Sequence, residues 1–319
     1  MKILVTGGSG FIGSYLVNEL LARGNEVAVI DLKSLENPMF PENTRATYFE
    51  GDICDASLVN QLVYDVDQVY HLASSVGVVK IMSNPIDGAV STIIGGLNVL
   101  KACRKFKKRI LITSTSEIYG KSMGGKLKED ADRVLGQTQY FRWSYSESKA
   151  LLENTAYALS SGESSYDFVI ARLFNTVGAG QLSEHGMVIP RFVQAALKDE
   201  TLLVFGDGKQ TRTFCDVRDV VRALVELMNC GEIRNDVFNV GSNTEISIHD
   251  LALKVIQLSK SYSKIKTVPY SEAYPPGYED MTHRLPDISK IHAVINWKRS
   301  YNLDETIQSV IEHERSRLN

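Results

Sequence analysis

The segment that most constrains the fold is residues 2–23, in which a short apolar run, a glycine-rich turn and a helical pattern follow one another. The run at residues 2–6 reads KILVT and is rich in β-branched side chains, as expected of a buried strand. Gly7, Gly10 and Gly13 follow it, and the apolar side chains beyond them recur at helical spacing. Such a turn lets the backbone approach a pyrophosphate closely and points the positive end of the helix at it. The arrangement predicts a dinucleotide-binding unit of strand, turn and helix.

The first half of the chain continues this alternation of strands and helices. Further apolar runs are predicted as strands, namely EVAVID at 26–31, DQVYHL at 67–72, KRILITS at 108–114 and DFVIARL at 167–173. Helical spacing of apolar residues is found around residues 88–105 and 145–161. Strands that alternate with helices favour a parallel sheet with helices on both faces. We therefore predict the α/β class and a Rossmann doubly wound parallel sheet.

The regular alternation of strands and helices ends after residue 178, which predicts a second, smaller lobe. Glycines and prolines interrupt the chain there, at Gly178, Gly180, Gly186 and Pro275-Pro276-Gly277. We predict a dinucleotide-binding Rossmann domain of residues 1–178, to which residues 214–242 return. Residues 179–213 and 243–319 are predicted to form a smaller mixed α/β C-terminal lobe.

Composition and charge argue against several classes of function. The formal net charge is −3, so nothing attracts the chain over long range to nucleic acid or to an anionic membrane surface. No segment approaches the roughly 18–20 apolar residues of a membrane helix, and the first residues lack the form of a signal peptide. The cysteines lie far apart without flanking histidines, which argues against a metal site. We predict a cytoplasmic protein without a metal, a nucleic-acid partner or a membrane partner.

Acidic residues after two of the apolar stretches indicate which dinucleotide is bound. Asp31 ends the second predicted strand, where a carboxylate accepts hydrogen bonds from ribose hydroxyls and repels a 2′-phosphate. NAD is therefore favoured over NADP, although Lys33 lies close by and Asp31 also suits a turn. Asp52 and Ile53 are predicted to meet the adenine, through the Asp52 carboxylate and the Ile53 backbone.

A tyrosine and a lysine four residues apart indicate the chemistry. Tyr145 and Lys149 fall on one face of the helical pattern at 145–161. A phenol with a pKa of about 10 is a poor base, but a neighbouring ammonium group and the positive charge of nicotinamide both favour the phenolate. We expect Tyr145 to take a hydroxyl proton while hydride leaves the same carbon for NAD, and Lys149 to hold the nicotinamide ribose. Thr115, just beyond the strand at 108–114, is placed to hydrogen-bond the oxygen being oxidised, unless it only ends the strand.

With these residues in place, the chain resembles the extended short-chain dehydrogenase/reductase superfamily, in its branch of nucleotide-sugar epimerases, dehydratases and decarboxylases. The likeness spans nearly the whole chain and is carried by TGGSGFIG at 6–13, Asp31, HLAS at 71–74, STSEIYG at 114–120, YSESK at 145–149, RLFNTVG at 172–178, GDGKQTRTF at 206–214, FNVGS at 238–242 and HRLPD at 283–287. It implies a domain that holds NAD tightly, a C-terminal lobe that clasps a nucleotide diphosphate, and a transient 4-keto sugar.

The resemblance also implies which residues form the site. Thr115, Tyr145 and Lys149 match the catalytic triad, and Ser116 and Glu117 lie beside it in the sequence. The residues placed against NAD are Gly7, Gly10, Phe11, Ile12, Gly13, Asp31, Asp52, Ile53, Leu72, Ala73, Tyr145 and Lys149. The residues placed against the substrate are Asn175, Arg191, Arg212 and Arg284. The guanidinium groups of Arg212 and Arg284 suit two phosphates, unless they are surface ion-pair partners.

The substrate's nucleotide and the oligomeric state are inferred from the resemblance alone. It implies a UDP-linked sugar and a homodimer formed by the helices near 92–105 and 145–161. Two neighbouring features are interpreted as supporting structure. His71 is expected to support the loop beside NAD, and the cluster Tyr140, Phe141, Arg142 and Trp143 is expected to wall the pocket.

Three reactions of the family share the first oxidation and differ in the step that follows. Dehydratases carry an aspartate at the position of Ser116 to protonate the departing hydroxyl, and a serine is too weak an acid for that role. Decarboxylases of UDP-glucuronate share Thr115-Ser116-Glu117 and an arginine at the position of Arg284. Many of them, however, have Tyr-Gly-Pro-Arg where this chain reads VGAG at 177–180.

Epimerases need no acid beyond the triad, because the keto sugar rotates and receives hydride on its other face. Many simple 4-epimerases lack a glutamate at position 117, but RLFNTVG followed by GMVIPRFVQAAL resembles bacterial UDP-sugar 4-epimerases. We predict a 4-epimerase of a UDP-hexose, UDP-hexosamine or UDP-hexuronate, with a UDP-glucuronate decarboxylase as the alternative. A 4,6-dehydratase and a non-catalytic NAD-binding relative stay open.

Overall fold

The structure, a computed structural model, describes residues 1–33, 40–74, 85–121, 124–161, 166–183, 187–274, 279, 281 and 283–318. The predicted chain interruptions at Gly186 and at Pro275-Pro276-Gly277 lie outside these residues. The strands are β1 Lys2–Thr6, β2 Glu26–Asp31, β3 Thr47–Glu50, β4 Gln68–His71, β5 Arg109–Thr115, β6 Phe168–Leu173, β7 Thr176–Val177, β8 Leu202–Phe205, β9 Thr211–Thr213, β10 Cys215–Asp216, β11 Asp236–Val240, β12 Glu245–Ser247 and β13 Ile265–Val268.

The helices are α1 Phe11–Ala22, α2 Ala56–Tyr64, α3 Pro85–Val90, α4 Gly96–Phe106, α5 Ser144–Ser160, α6 Val188–Leu197, α7 Val217–Asn229, α8 Ile248–Ser259, α9 Tyr270–Ala273, α10 Ser289–Val294 and α11 Leu303–Leu318. A π-helical turn, Ser91–Gly95, joins α3 to α4. Short 3-10 turns lie at Pro41–Arg45, Ser116–Tyr119 and Phe141–Trp143.

Among the described residues, seven parallel strands form one sheet in the order β11-β6-β5-β4-β1-β2-β3. The chain runs outward from β1 in both directions, since β2 pairs with one side of β1 and β4 with the other. The carboxyl ends of β1 and β4, where Thr6 pairs with His71, therefore open the crevice at which such sheets bind ligands. The predicted α/β class and doubly wound parallel sheet are confirmed.

Apolar side chains cover both faces of this sheet with helices. On one face α1 and α7 bury Leu16 and Leu224, and on the other α2, α4 and α5 bury Val59, Leu100 and Leu152. The strands read as nearly continuous apolar runs because both of their faces are covered. Burying each such side chain contributes about 2 kcal/mol, so the sheet is a rigid support for the loops at its carboxyl edge.

A third apolar cluster forms the core of the C-terminal lobe, where α6, α8 and α11 pack Phe192, Leu251 and Ile307 together. Short strand pairs, β8 with β13 and β9 with β12, complete this lobe. Strand β11 instead pairs with β6 in the central sheet, as the predicted return of residues 214–242 requires. The division into 1–178 with 214–242, and 179–213 with 243–319, stays a proposal.

The helical stretch Ile86–Phe106 is long and apolar enough, by length and composition alone, to resemble a membrane span. The sequence analysis did not expect such a stretch. Its side chains Val99, Leu100 and Cys103 are buried in the core against the sheet. A core helix of the Rossmann domain accounts for this composition.

Helix α5 is fixed to the sheet by a buried ion pair. Glu153 accepts hydrogen bonds from Nε of Arg172 at 3.1 Å and from Nη2 at 2.7 Å. Arg172 also donates to the Tyr119 hydroxyl at 2.9 Å and to the Glu129 carbonyl at 2.8 Å. Tyr145, Lys149 and Glu153 are spaced four residues apart, so they share one face of α5. The ion pair therefore sets the rotation of the helix that carries both predicted catalytic side chains.

Removing the carboxylate in Glu153→Ala is expected to lower the free energy of unfolding by about 3 kcal/mol, because it leaves the buried Arg172 cation without its partner. Urea unfolding followed by circular dichroism measures this change. The matched control is Glu19→Ala, which removes the partly exposed pair between Glu19 and Arg23 and is expected to change stability by less than about 1 kcal/mol. Equal effects of the two variants would contradict the anchoring role.

Candidate active site

One cavity of about 1030 Å³ runs from the carboxyl edge of the sheet into the C-terminal lobe. The residues predicted to be catalytic, to bind NAD or to bind the substrate all line this cavity. It brings the glycine turn, the end of β5, the first turns of α5 and the arginines of the C-terminal lobe into one space. A volume of this size accommodates a ligand larger than a typical drug.

Close packing requires a glycine at two positions of the glycine turn and is looser at the third. Gly7 has a φ of +75°, and a Cβ on it would lie 2.7 Å from the Ala73 amide nitrogen. A Cβ on Gly13 would overlap the carbonyl oxygen of Gly7. A Cβ on Gly10 would meet only that oxygen, at 3.3 Å, with no other neighbour within 4 Å. Gly10 is thus the least crowded of the three glycines, and it lies at the N-terminus of α1, where a helix end favours an anion such as a pyrophosphate.

Two acidic residues lie at the end of the cavity next to the glycine turn. Asp31 ends β2, and its Oδ2 accepts a hydrogen bond from the Ser9 amide at 3.0 Å. Asp52 Oδ1 accepts from the Cys54 amide at 2.8 Å, and the Ile53 side chain is buried in the core. Both carboxylates therefore brace their loops and also line the cavity. This position suits Asp31 for a ribose, as predicted for NAD.

Tyr145 lines the cavity together with Thr115 and Ser74. The hydroxyl groups of these two residues favour the phenolate and lower the pKa of Tyr145. Thr115 is the last residue of β5, and its Oγ1 accepts the Glu117 amide at 3.2 Å. The sequence predicts Thr115 and Tyr145 at one site. The presence of Ser74 beside them, at the end of the HLAS segment, was not predicted.

The predicted effect of Lys149 on the pKa of Tyr145 needs correction. Burial raises the pKa of the Tyr145 phenol, and the charge of Glu117 raises it further, whereas the hydroxyl groups of Ser74 and Thr115 lower it. Lys149 is not among the causes of this shift, and its Nζ donates to the Thr113 carbonyl at 2.9 Å. Burial also lowers the pKa of Lys149 to about 8, although Glu153 opposes this shift. The protein's own residues thus leave the phenol protonated at neutral pH.

Glu117 is held between two buried arginines. Arg142 Nη1 lies 2.6 Å from Oε2, and Arg284 Nη2 lies 2.7 Å from Oε1. Burial raises the pKa of Glu117, but the charges of Arg284 and Arg142 outweigh it and bring the pKa to about 2. Glu117 is therefore an anion at neutral pH and has no proton to donate. We call Glu117, Arg142 and Arg284 the charged triad, and its net charge is one positive unit.

The charged triad adds contacts that the sequence did not reveal. Arg284, predicted to bind the diphosphate, also contacts Glu117, whose charge acts on Tyr145. Arg142 lines the cavity, as expected of a wall residue, and is buried against Glu117. Of its neighbours in the sequence, Phe141 is exposed, and Trp143 is buried with its Nε1 donating to Glu279 at 3.1 Å. No spacing rule identifies Arg142, because its partner lies in a different turn of the chain. Its burial is the only signal, and burial is visible in the structure alone.

The remaining predicted substrate residues lie in or near the C-terminal lobe. Asn175 donates to the Thr213 carbonyl at 2.7 Å. Arg191 on α6 donates to the Leu203 carbonyl at 3.1 Å, and its guanidinium group lies 4.0 Å from the centre of the Phe205 ring. Arg212 lies on β9 and, like Arg191, lines the cavity. Arg191 and Arg212 are thus two cations of this lobe, besides Arg284, that line the cavity.

Gly10→Ala is expected to weaken NAD binding at least tenfold, because the new methyl group fills the space beside the N-terminus of α1. Its effect on unfolding is expected to stay within about 1 kcal/mol, since the structure itself leaves room there. Gly13→Ala is the comparison variant and is expected to destabilise the fold, because backbone atoms cannot move aside. Calorimetric titration with NAD and urea unfolding separate the two effects. Unimpaired NAD binding by Gly10→Ala would contradict the assignment.

Known proteins resemble this chain in both sequence and fold. The model of the NAD dependent epimerase/dehydratase family matches residues 3–241. The UDP-N-acetyl-alpha-D-glucosaminuronate decarboxylase of Bacillus cytotoxicus is 37% identical over 318 residues, covering 96% of this chain and 97% of the relative. UDP-glucuronic acid decarboxylase 1 of Danio rerio is 34% identical over 320 residues, covering 98% of this chain and 72% of the relative.

A solved structure gives the same result for the fold and the cofactor. The UDP-glucuronic acid 4-epimerase from Bacillus cereus, in complex with UDP-glucuronic acid and NAD, superimposes with a TM-score of 0.86 at 26% identity. The match covers 99% of this chain and 100% of that one. The predicted cofactor, NAD, is confirmed. The chain belongs to the NAD-dependent epimerase/dehydratase family, among its UDP-sugar epimerases and decarboxylases.

Proposed function

We propose that this enzyme decarboxylates a UDP-linked hexuronate through a 4-keto intermediate. The observation that carries the proposal is the charged triad beside Tyr145. Arg142 and Arg284 are buried and both contact Glu117, and both line the cavity together with Tyr145. A guanidinium group in this position suits a carboxylate at C5 of the sugar better than the neutral hydroxymethyl group of a hexose.

The curated relatives support the decarboxylase better than the predicted epimerase. The proteins of Bacillus cytotoxicus and Danio rerio are both decarboxylases of UDP-linked uronic acids. The second candidate, a 4-epimerase, is favoured by the likeness to the Bacillus cereus enzyme, which also binds UDP-glucuronic acid. Both candidates share a hexuronate substrate, and so both agree with the charge of the site.

The first step of the proposed reaction uses Tyr145 and Thr115. Thr115 holds the C4 oxygen, and Tyr145 as phenolate takes the C4 hydroxyl proton. NAD, when bound, supplies the hydride acceptor at C4 and a positive ring charge that favours the phenolate. The oxidised sugar is a β-keto acid, in which the C4 carbonyl lies two bonds from the carboxylate carbon.

The second step is loss of carbon dioxide. The bond between C5 and the carboxylate carbon breaks, its electron pair moves to the C4 oxygen as an enolate, and carbon dioxide leaves. Water then supplies a proton to C5, hydride returns to C4, and Tyr145 gives its proton back to the C4 oxygen. Arg284 orients the carboxylate, and Glu117 stays ionised throughout, in line with its pKa of about 2. Neither Ser116 nor Glu117 supplies the acid that loss of water requires.

The nucleotide end of the substrate is assigned to the C-terminal lobe. Arg191 and Arg212 are proposed to pair with the diphosphate, and Asn175 to contact it or the sugar. Guanidinium groups match phosphate oxygens with paired hydrogen bonds, which lets a slightly acidic protein bind a polyanion. Arg284 is proposed to serve the sugar carboxylate instead.

A substrate panel followed by NMR tests the proposed function. UDP-glucuronate and UDP-N-acetylglucosaminuronate are expected to release carbon dioxide and yield a pentose nucleotide, and UDP-glucose is expected to stay unchanged. Tyr145→Phe is expected to keep NAD and to retain less than about a tenth of wild-type kcat, a loss of more than roughly 1.4 kcal/mol. Inversion at C4 without carbon dioxide release would favour the epimerase.

Arg284→Gln serves as the charge variant in the same assay. It is expected to lower kcat/KM for the hexuronates about 100-fold, which corresponds to about 2.7 kcal/mol. The matched control is Arg234→Gln, which removes an exposed arginine paired with Asp167 on the opposite edge of the sheet and is expected to leave kcat/KM unchanged. An equal loss in both variants would contradict a role for Arg284 at the substrate.

A homodimer is also proposed. Exposed apolar side chains lie on two neighbouring helical segments, with Ile86, Val90 and Ile94 along α3 and the π-helical turn, and Leu151 and Tyr157 on α5. Helix α5 packs beside both α3 and this turn. Such a face is completed by the same face of a second copy, as a two-fold interface requires.

Analytical ultracentrifugation is expected to give twice the mass of the chain for the wild type. The double variant Ile94→Lys/Leu151→Lys is expected to sediment as a monomer, because each lysine places a charge in the interface. The control Leu253→Lys changes an equally exposed leucine on α8 and is expected to leave the dimer intact. A monomeric wild type would overturn this proposal.

A further inference from the structure

A single buried amide side chain, that of Asn239, joins the edge of the central sheet to the segment that carries Arg284. Asn239 lies on β11, the outer strand of the sheet, and is fully buried. Its Nδ2 donates to the Leu127 carbonyl at 2.8 Å and to the Asp287 carbonyl at 3.1 Å. Its Oδ1 accepts from the Tyr119 hydroxyl at 2.7 Å. Both hydrogens of the amide group and its oxygen are therefore engaged.

The partners of Asn239 fix the direction in which its amide group points. The two backbone carbonyls can only accept hydrogen bonds, so they must face the NH2 group. Arg172 can only donate, and its Nη1 donates to the Tyr119 hydroxyl at 2.9 Å. The hydrogen of that hydroxyl is thus available for Asn239 Oδ1. A side chain at this position must offer one acceptor and two donors, which neither a carboxylate nor a hydroxyl group does.

The two segments that this amide binds are also joined to each other. Leu127 forms an isolated parallel β-bridge with Pro286. The amide of Leu127 donates to the Leu285 carbonyl, and its carbonyl accepts from the Asp287 amide, both at 2.8 Å. Arg284 comes directly before these bridged residues in the chain. The bridge therefore fixes the backbone from which the Arg284 side chain extends, and the buried amide fastens the bridge to β11.

Arg284 reaches from this bridge to the cavity, whereas Asn239 stays behind it. Arg284 Nη2 lies 2.7 Å from Glu117 Oε1, and both residues line the cavity. Asn239 is not among the described residues that line it. Its backbone amide instead donates to Glu129 Oε1 at 2.8 Å, a second bond to the segment of Leu127. Asn239 can therefore act on a bound sugar only through the segments that it holds.

We propose that Asn239 is a positioning residue for Arg284, holding its guanidinium group where the carboxylate of a UDP-linked hexuronate binds. A guanidinium group pairs with a carboxylate through N–H donors in a fixed plane, so a small displacement weakens the pairing. The hydroxymethyl group of a hexose makes no such demand. Loss of the Asn239 amide is therefore expected to reduce the preference for a hexuronate over a hexose. The inference rests on the proposed role of Arg284 at the sugar carboxylate, but not on whether carbon dioxide is lost.

Calorimetric titrations of NAD-loaded Tyr145→Phe protein, in which the sugar is expected not to react, test this positioning. The ligands are UDP-glucuronate and UDP-glucose, which differ only at C6. Asn239→Ser is expected to lower the affinity for UDP-glucuronate about tenfold and to leave that for UDP-glucose within about twofold, because only the carboxylate needs the guanidinium group in place. Urea unfolding establishes that the variant folds. Tyr119→Phe, which removes the hydroxyl group that orients the amide, is expected to act in the same direction and carries the test if Asn239→Ser does not fold.

A double-variant cycle separates positioning from general destabilisation. If Asn239 acts through Arg284, then adding Asn239→Ser to Arg284→Gln causes no further loss of affinity for UDP-glucuronate. Asn98→Ser is the matched control, because Asn98 Nδ2 also donates to two backbone carbonyls, those of Ile53 and Cys54, at 3.1 and 2.9 Å. It is expected to leave the ratio of the two affinities unchanged. An unchanged ratio in Asn239→Ser, or additive losses in the double variant, would overturn the proposal.

Failure of this proposal and failure of the proposed function give different results. A preference for UDP-glucuronate that is lost in Arg284→Gln but kept in Asn239→Ser removes the positioning role alone. A preference lost in both variants, without carbon dioxide release by the wild type, removes the decarboxylase and retains the positioning role. If the preference is absent or survives Arg284→Gln, the role of Arg284 at the carboxylate is wrong, and the positioning role of Asn239 is overturned with it.

Discussion

The buried carboxylate of Glu117 is the constraint on which the rest of the site depends. It lies in the turn after β5, and its partners come from the turn before α5 and from the C-terminal segment that carries Arg284. A buried carboxylate without partners is costly, so these three segments must come together before the charge is stabilised. The same interaction holds Arg142 and Arg284 at the cavity. The stability of the site and the proposed preference for an anionic sugar therefore depend on the same residues.

The parts of the site that the sequence predicts are those set by local spacing. Gly7, Gly10 and Gly13 act within a single turn, and Tyr145 and Lys149 are one helical turn apart, so their neighbours follow from their positions in the chain. The alternation of strands and helices likewise predicted the sheet, because each apolar run is buried by the next element. Asp31 was found by the same reasoning, since the end of β2 must lie beside the glycine turn.

The parts that escaped prediction depend on contacts between distant segments. The contacts of Arg142 and Arg284 with Glu117 were not predicted, because neither sequence neighbourhood reveals the carboxylate between them. The predicted lowering of the Tyr145 pKa by Lys149 is not seen, for a related reason. Spacing places the two side chains on one face, but burial and the hydrogen bond of Lys149 to the Thr113 carbonyl decide how much of the charge is felt. The order Thr115-Ser116-Glu117 also fits more than one reaction until its surroundings are known.

The ion pair between Glu153 and Arg172 has a consequence for how this enzyme can change. It prevents rotation of α5 about its axis. Glu153 lies one helical turn after Lys149 and two turns after Tyr145. A helix that turned slightly would still bury its apolar side chains but would carry the phenol away from Thr115. The stability of the fold and the position of the Tyr145 phenol therefore both depend on the ion pair between Glu153 and Arg172. Substitutions on the inward face of α5 cannot improve one of these properties independently of the other.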